Sequence, residues 1–317
     1  MSEKTCVISV SFRGAADTAE CIRSLLKSTV PVTIVIVDST PNDPELAPAI
    51  QSAPDVVLLR SPDNPGFGGS NNIGIQWALV NTNCEYFLLL NNDTVIFPDS
   101  IEVLQRVMDD NPALSISTPR IAYFNHPRRL WYGGGEVDWR RASAFTPDFD
   151  GSAEGDLAMT ERDVSFATGC AMMLRRSSLQ QLGGFDPRFF MYEEDVELSL
   201  RATEAGMKIR YVPGALILHR VQGSSGVDAV REPFWSARNP RLSFFAYHVI
   251  RNRLLVASLH AKGLDRVTVL LFFPVFMLRR MIPWVLGGRM DAVRAMLKGA
   301  WDGLRVGRQA LGRESAD

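Results

Sequence analysis

The sequence predicts an α/β fold, a mainly parallel, doubly wound sheet followed by a helical extension. Three observations predict it. Short β-branched runs alternate with stretches of helical periodicity through the first half of the chain, which is how parallel sheets are wound. Polar or acidic clusters close several apolar runs: Asn91-Asn92-Asp93 after residues 87–90, Glu193-Glu194-Asp195 after 189–192, and His219 after 216–218. Ligands of an open α/β sheet collect beyond the carboxyl ends of its strands, so such clusters can converge on one crevice. Beyond Pro240 the pattern is mostly helical.

In chain order, residues 7–12 read as a buried first strand, and Ala19, Ile22, Leu25 and Leu26 give the helical spacing that follows it. Residues 32–37 form a second β-branched strand ending at Asp38, and residues 56–59 a third. Asn64-Pro65-Gly66-Phe67-Gly68-Gly69 reads as a tight loop, with a helix starting near Ser70 that carries Ile73, Trp77 and Val80 on one face. A fourth strand spans 85–90. After Pro119 the pattern loosens, and residues 120–163 mix Trp131, Gly133-Gly134-Gly135, Trp139 and Arg140-Arg141 with few periodic stretches. Sheet character resumes over 164–174, around Thr168-Gly169-Cys170. Residues 194–205 suit a helix ended by Gly206 as its C-cap. Short strands at 209–212 and 215–218 follow, and an amphipathic helix from Asp291 to about Leu311 closes the pattern.

With 317 residues, 46% hydrophobic and 22% charged, the chain has an ordinary globular composition and ample material for a core. Cys6, Cys21, Cys84 and Cys170 are widely spaced without a C-x-x-C pair, which favours reduced thiols in the cytosol. Ser2-Glu3-Lys4 leads directly into a strand rather than a secretory signal peptide. The net charge of −1 conceals an asymmetry: residues 1–230 carry −10 and residues 231–317 carry +9. In the basic part, large apolar residues alternate with arginines, as in Phe272-Phe273-Pro274-Val275-Phe276-Met277-Leu278-Arg279-Arg280. That mixture favours an anionic membrane surface over nucleic acid. The apolar run at 267–278 falls short of the ~20 residues that span a bilayer. A core helix whose arginines reach solvent is the plainer alternative.

Taken as a set, Val37-Asp38, the Asn64-to-Gly74 loop, Leu90-Asn91-Asn92-Asp93, Ala167-Thr168-Gly169-Cys170, Gly183-Gly184-Phe185-Asp186, Tyr192-Glu193-Glu194-Asp195 and His219 ahead of Gly223-Ser224-Ser225 come in a distinctive order. The chain thereby resembles inverting family 2 glycosyltransferases of the GT-A fold, close to bacterial rhamnosyltransferases and galactofuranosyltransferases. The motifs span about residues 5–226, and each alone would be weak. The resemblance implies a catalytic and nucleotide-sugar-binding domain over 1–230 and a basic, amphipathic, membrane-associating helical extension over 231–317.

The resemblance also implies roles. Ser11, Phe12, Asp38, Gly66, Gly69, Asn71 and Asn92 would bind the nucleotide, with Asp38 accepting the imide N–H of uracil or thymine. Alone, Asp38 reads as a strand-terminal turn completed by Ser39 and Thr40. Glycines at 66, 68 and 69 would let backbone approach the nucleotide. Asn91-Asn92-Asp93 occupies the place of the D-x-D motif, with Asn91 replacing its first Asp. Asp93 and His219 would hold Mg²⁺ or Mn²⁺ on the diphosphate, and Arg220 could add charge against phosphate. Asp195 would be the general base, with Glu194 the second candidate; an acidic helix start is otherwise ordinary dipole chemistry. Thr168, Gly169 and Trp131 would lie at the donor or acceptor sugar. Met172 and Met173 read as core and Arg175-Arg176 as a solvated turn. Related enzymes carry a similar Arg-Asn to Arg251-Asn252, read as an inter-helix or lipid-phosphate contact.

The function expected is inverting transfer of one sugar, from dTDP-L-rhamnose or a UDP-hexose such as UDP-galactofuranose, to a glycan or polyprenyl-linked acceptor in cell-surface polysaccharide synthesis. The protein would be cytoplasmic and peripheral on the inner face of the plasma membrane, with homo-oligomerisation left open. A sugar nucleotidyltransferase would carry its Gly-rich loop near the first strand, where Ser11-Phe12-Arg13-Gly14 is too sparse. A non-catalytic glycan-binding or scaffold protein is the rival from another class.

Overall fold

The computed structural model describes residues 4–40, 44–50, 56–61, 63–140, 143–221 and 235–314. Its elements begin with β1 (Thr5–Ser11), α1 (Ala15–Leu25), β2 (Val32–Asp38), α2 (Leu46–Ile50), β3 (Val56–Arg60), α3 (Gly66–Asn81), β4 (Tyr86–Leu90), β5 (Thr94–Ile96) and α4 (Ser100–Asp110). Then come β6 (Leu114–Tyr123), β7 (His126–Tyr132), β8 (Glu136–Asp138), β9 (Ser143–Phe145), β10 (Arg162–Asp163), β11 (Ala171–Arg175), α5 (Arg176–Leu182), α6 (Glu194–Glu204) and β12 (Lys208–His219). Three helices close the chain: α7 (Leu242–His260), α8 (Leu264–Leu286) and α9 (Met290–Glu314).

The main sheet runs β10-β12-β6-β11-β4-β1-β2-β3, with β5 on β12 and β7 on β6. Strands β3, β2, β1 and β4 are mutually parallel, because each return passes through a crossover segment. Strand β11 enters antiparallel between β4 and β6. That reversal matters for position. It brings the start of β11, with Thr168–Cys170 before it, to the edge where β1, β2 and β4 end; Ala171 sits opposite Leu90. The β-branched and aromatic stretches of β1, β2 and β4 are buried almost throughout, as strands covered on both faces require.

Several local expectations are corrected. Phe12 lies past the end of β1 and is partly exposed. The loop expected at 64–69 is already helix, since α3 begins at Gly66. Its buried face is Asn71, Gly74, Ile75 and Ala78 rather than Ile73, Trp77 and Val80, and Val80 is 83% exposed. Gly74 sets that face, because a Cβ there would stand 2.5 Å from Ile8 on β1. The loose region is sheet in part: residues up to Tyr123 extend β6, and β7 turns back on it through two register shifts. Those irregularities, with short β8 and β9, erase the period that sequence patterning needs. Residues 164–170 precede β11 instead of joining it. The two strands expected at 209–218 are one, β12, broken in register between Val212 and Leu216.

Arg175 and Arg176 are not a solvated turn. Arg175 donates to Leu114 O and Met108 O, and Arg176 to Cys84 O, Leu79 O and Thr82 O, so both tie helix ends to the sheet. Met172 and Met173 are core, and all four cysteines are buried. The apolar segment at 267–278 is part of a 23-residue helix, α8, long and apolar enough to cross a membrane by length and composition. Only 17% of its most apolar window is buried. Helix α7 reaches the main core through Leu255 and Val256, while Leu242, Ala246 and Ile250 join a second cluster with α8 and α9.

Candidate active site

The carboxyl ends of β1, β2 and β4 present Ser11, Asp38 and Asn91-Asn92-Asp93 along one edge; Ser11 is registered with Asp38. Buried Ser11 accepts from Thr18 Oγ1 at 2.9 Å, and Asn92 Nδ2 donates to the same Thr18 hydroxyl at 2.9 Å. Thr18 therefore ties the end of β1 to the loop after β4, a role the sequence did not signal. Asp38 is buried, and its Oδ1 accepts from Thr40 N at 2.9 Å, which is the turn geometry of the plainer reading. Its backbone carbonyl accepts from Ser61 N.

The glycines of the Asn64-to-Gly74 stretch have a reason internal to the protein. Gly66 has φ +84°, and a Cβ there would stand 2.0 Å from Phe190 O, whose carbonyl accepts from Phe67 N. The start of α3 is thus pressed onto the segment leading to α6, and at Gly69 a Cβ would stand 2.7 Å from Pro65. Buried Asn71 donates to Phe67 O within its own helix, and Ser70 and Ser39 share a 2.7 Å bond.

Asp93 and His219 come together because Thr94 of β5 pairs with His219 at the end of β12. His219 Nε2 lies 3.1 Å from Asp93 Oδ1, while its buried Nδ1 has no partner among the described residues. Burial opposes the imidazolium, but the neighbouring Cys170 and Asp93 outweigh it and raise the His219 pKa well above its usual value. Trp131 of β7 meets the imidazole edge-on, with centroids 4.5 Å apart. Arg220 is committed elsewhere. It pairs with Asp17 and Glu20 of α1 and lies 3.7 Å above the Phe124 ring, so phosphate would have to displace those acids. Gly223-Ser224-Ser225 lie outside the described residues.

Two ligands bound at right angles on one small cation at ~2.1 Å stand ~3 Å apart, close to the Asp93–His219 spacing. No cluster of three or more His, Cys, Asp or Glu suited to a metal occurs among the described residues. Mg²⁺ and Mn²⁺ often take one or two protein ligands and complete their shell with phosphates and water, so the pair fits such an ion.

The second acidic cluster opens α6. Glu194 and Asp195 share the first helical turn with Glu197, where the helix dipole favours negative charge. Asp195 Oδ2 accepts from Gly169 N at 2.8 Å and Oδ1 from Val196 N at 2.9 Å. Gly169 allows this approach, since a Cβ would meet Phe67 at 2.9 Å and Asp195 at 3.4 Å. Burial raises the Asp195 pKa to about 6 against the lowering effect of the Gly169 N–H. Glu194 is more deeply buried, its Oε2 has no partner among the described residues, and burial with the Asp195 charge pushes its pKa well up. The neighbouring carboxyls thus favour a neutral Glu194 beside an ionised Asp195 at neutral pH. The 168–170 segment bridges the two acidic clusters, since Asn91 N donates to Cys170 O at 2.9 Å and Gly169 N to Asp195 Oδ2 at 2.8 Å.

Against this geometry, the glycosyl transferase family 2 profile matches residues 6–183. The chain is a family 2 glycosyltransferase. The matched stretch includes the Asn91-Asn92-Asp93 loop and ends before Glu194. An N-acetylglucosaminyl-diphospho-decaprenol L-rhamnosyltransferase of Mycobacterium tuberculosis is 28% identical over 249 residues, covering 72% of this chain and 80% of that enzyme. Galactofuranosyltransferase GlfT2 of the same species is 27% identical over 216 residues, covering 63% and 32%. Among solved structures, a mannosyltransferase from Pyrobaculum calidifontis in complex with GDP-Man and Mn²⁺ aligns with TM-score 0.56 at 14% identity, over all of this chain and 80% of that one. GalNAc-T7 with UDP, GalNAc and Mn²⁺ aligns with TM-score 0.58 at 17% identity over 81% of this chain, which spans 48% of that protein. These likenesses establish the GT-A fold.

The sequence did not single out Arg251-Asn252-Arg253 as part of this site. Asn252 of α7 donates to Met191 O and Tyr192 O, and Arg253 pairs with Glu193, directly ahead of the Glu194-Asp195 pair. The signal was a polar triplet within an otherwise apolar helix.

Proposed function

We propose that the protein transfers one sugar from a nucleoside diphosphate donor to a hydroxyl of a glycan or polyprenyl-linked acceptor, inverting the anomeric carbon. The observation that carries this reading is the placement of Asp195, held by Gly169 N and Val196 N, with Asp93 and His219 along the same sheet edge. A sugar hydroxyl is a poor nucleophile, so its proton must leave as its oxygen attacks. Asp195 takes that proton, the acceptor O–C1 bond forms, the bond from C1 to the diphosphate oxygen breaks, and the electron pair departs with the nucleoside diphosphate. A single displacement of this kind inverts C1.

Asp93 and His219 would hold a Mg²⁺ or Mn²⁺ ion. When bound, the ion supplies neutralisation of charge on the departing diphosphate. Ser11, Phe12, Asp38, Gly66, Gly69, Asn71 and Asn92 are assigned to the nucleotide, and Thr168, Gly169 and Trp131 to the sugars. The position of Trp131 against His219 supports its share of that assignment. For the donor we favour dTDP-L-rhamnose, with UDP-galactofuranose second, on the likeness to enzymes of those names. The acceptor is then part of a cell-surface polysaccharide assembled at the inner face of the plasma membrane. Residues 231–317 would be the membrane-associating part: α8 and α9 leave Leu270, Leu271, Val275, Leu278 and Trp301 exposed in the stretch that carries the +9 balance.

The test is a thermal-shift screen of nucleotide sugars with and without Mn²⁺, followed by nucleotide release with acceptor. Selective ligands should raise the melting temperature through RT ln(1 + [L]/Kd). Stabilisation by dTDP-rhamnose or UDP-galactofuranose that depends on Mn²⁺ is expected. No response to any nucleotide sugar would leave a glycan-binding or scaffold role as the better reading.

A further inference from the structure

The two residues ahead of Glu194-Asp195 adopt a conformation their sequence does not favour. Tyr192 has φ +71° and Glu193 φ +67°, two consecutive left-handed residues with no glycine or asparagine between them. A Cβ crowds the following carbonyl in that region, so such a pair persists only where its surroundings over-determine it.

Helix α7 supplies those surroundings. Asn252 is fully buried, and its Nδ2 donates to Met191 O at 2.9 Å and to Tyr192 O at 2.8 Å. Its Oδ1 accepts from Arg251 Nη1 at 2.6 Å, and Arg251 also donates to Arg188 O at 3.0 Å. Arg253 Nε donates to Glu193 Oε1 at 2.8 Å, and the Tyr192 ring packs against Phe245 with centroids 5.0 Å apart. A buried amide in an apolar helix is unfavourable unless its polar atoms are partnered. Here the partners belong to the turn that starts α6.

We propose that Asn252 and Arg253 are positioning residues for transfer: they hold the Tyr192–Glu193 turn and thereby fix the first turn of α6, where Asp195 meets Gly169 N. The proposal rests on the reading of Asp195 as the base. It makes α7 a working part of the catalytic site, although α7 lies beyond the residues matched to the family. If the turn relaxed toward ordinary φ values, Glu194 and Asp195 would rotate with it, and the carboxylate would leave its place beside Gly169. The donor-binding edge on β1, β2 and β4 would stay as it is.

The experiment uses the full chain with Asn252→Ala, Arg253→Met and Arg253→Lys. Three quantities are measured: donor affinity with Mn²⁺ by calorimetry, turnover, and amide hydrogen exchange of peptides covering 189–197. For Asn252→Ala we expect turnover to fall by about tenfold or more, donor affinity to stay within about twofold, and exchange at 189–197 to rise while strand β4 keeps its protection. Arg253→Met should behave the same way more mildly, and Arg253→Lys should recover part of the loss. Should Asn252→Ala fail to fold, the two Arg253 variants carry the test. Unchanged exchange at 189–197, or a loss of turnover matched by loss of donor affinity and of protection everywhere, overturns the proposal. The exchange result needs no acceptor, so a wild-type chain inactive on every acceptor would refute the base assignment separately.

Discussion

Asp93 and His219 contribute two ligand atoms 3.1 Å apart, and the diphosphate would bring the rest. Asp93→Ala should therefore weaken donor binding in Mn²⁺ on the order of tenfold or more, and His219→Ala less, as titration calorimetry can check. Activity that survives EDTA undiminished would contradict the ion's role and shift charge neutralisation to helix dipoles or a displaced Arg220. Asp195 makes a separate prediction about pH. Burial places its pKa at about 6, above the ordinary value, so the carboxylate is ionised above that pH and protonated below it. A base works only when ionised, so kcat/KM should fall as pH drops through about 6, by about tenfold per unit in the acid limb. A rate that stays level well below pH 6 would place the base elsewhere. At this scale the types and order of residues were legible in the sequence, because Asp195, Asp93 and His219 each close a local run. The ion pairs of Arg220 were not legible, for the opposite reason. Its partners Asp17 and Glu20 lie about two hundred positions away, and no local pattern records them.

Among the elements, helix α3 shows how a glycine-rich stretch can be read correctly as special and wrongly as loop. Its glycines answer to Phe190 and to Ile8 rather than to a turn, and both neighbours are distant in sequence. Gly66→Ala should cost roughly 2–4 kcal/mol of stability, combining left-handed strain with the collision against Phe190 O, and chemical denaturation would measure it. A cost below ~0.5 kcal/mol would mean that the start of α3 moves freely. Parallel strands with continuous apolar runs, β1, β2 and β4, were legible because burial on both faces leaves a plain signature. Strands β6 and β7 were not, and β12 was read as two, since register shifts interrupt their period. Helix α8 continues beyond the apolar run at 267–278, through Arg279 and Arg280 to Leu286, although Pro274 and Pro283 lie within it.

On the scale of the whole molecule, two stretches of opposite charge meet, with α7 reaching into the main core. The exposed apolar face of α8 and the +9 balance of residues 231–317 should hold the protein on anionic vesicles, each surface-proximal Lys or Arg adding ~1 kcal/mol. Flotation should recover more protein with anionic than with neutral liposomes, and high salt should release part of it. Equal recovery from both would remove the electrostatic contribution. Truncation after residue 230 would strip Leu255 and Val256 from the main core and Asn252 from the turn before α6, so the shortened chain should melt at a lower temperature. The sheet edge was legible from the sequence because strand ends declare themselves at Asn91-Asn92-Asp93 and His219, whereas Glu194-Asp195 declares a helix start. The dependence of the site on α7 was not, because it lies in buried contacts some 60 positions apart. The central claim is that Asp195 removes the acceptor proton while other residues bind the donor. Its most direct test is Asp195→Asn, with donor affinity and turnover measured on the same preparation. The account predicts turnover reduced by ~10²–10⁴ with donor affinity nearly unchanged, whereas near-normal turnover in that variant would contradict it.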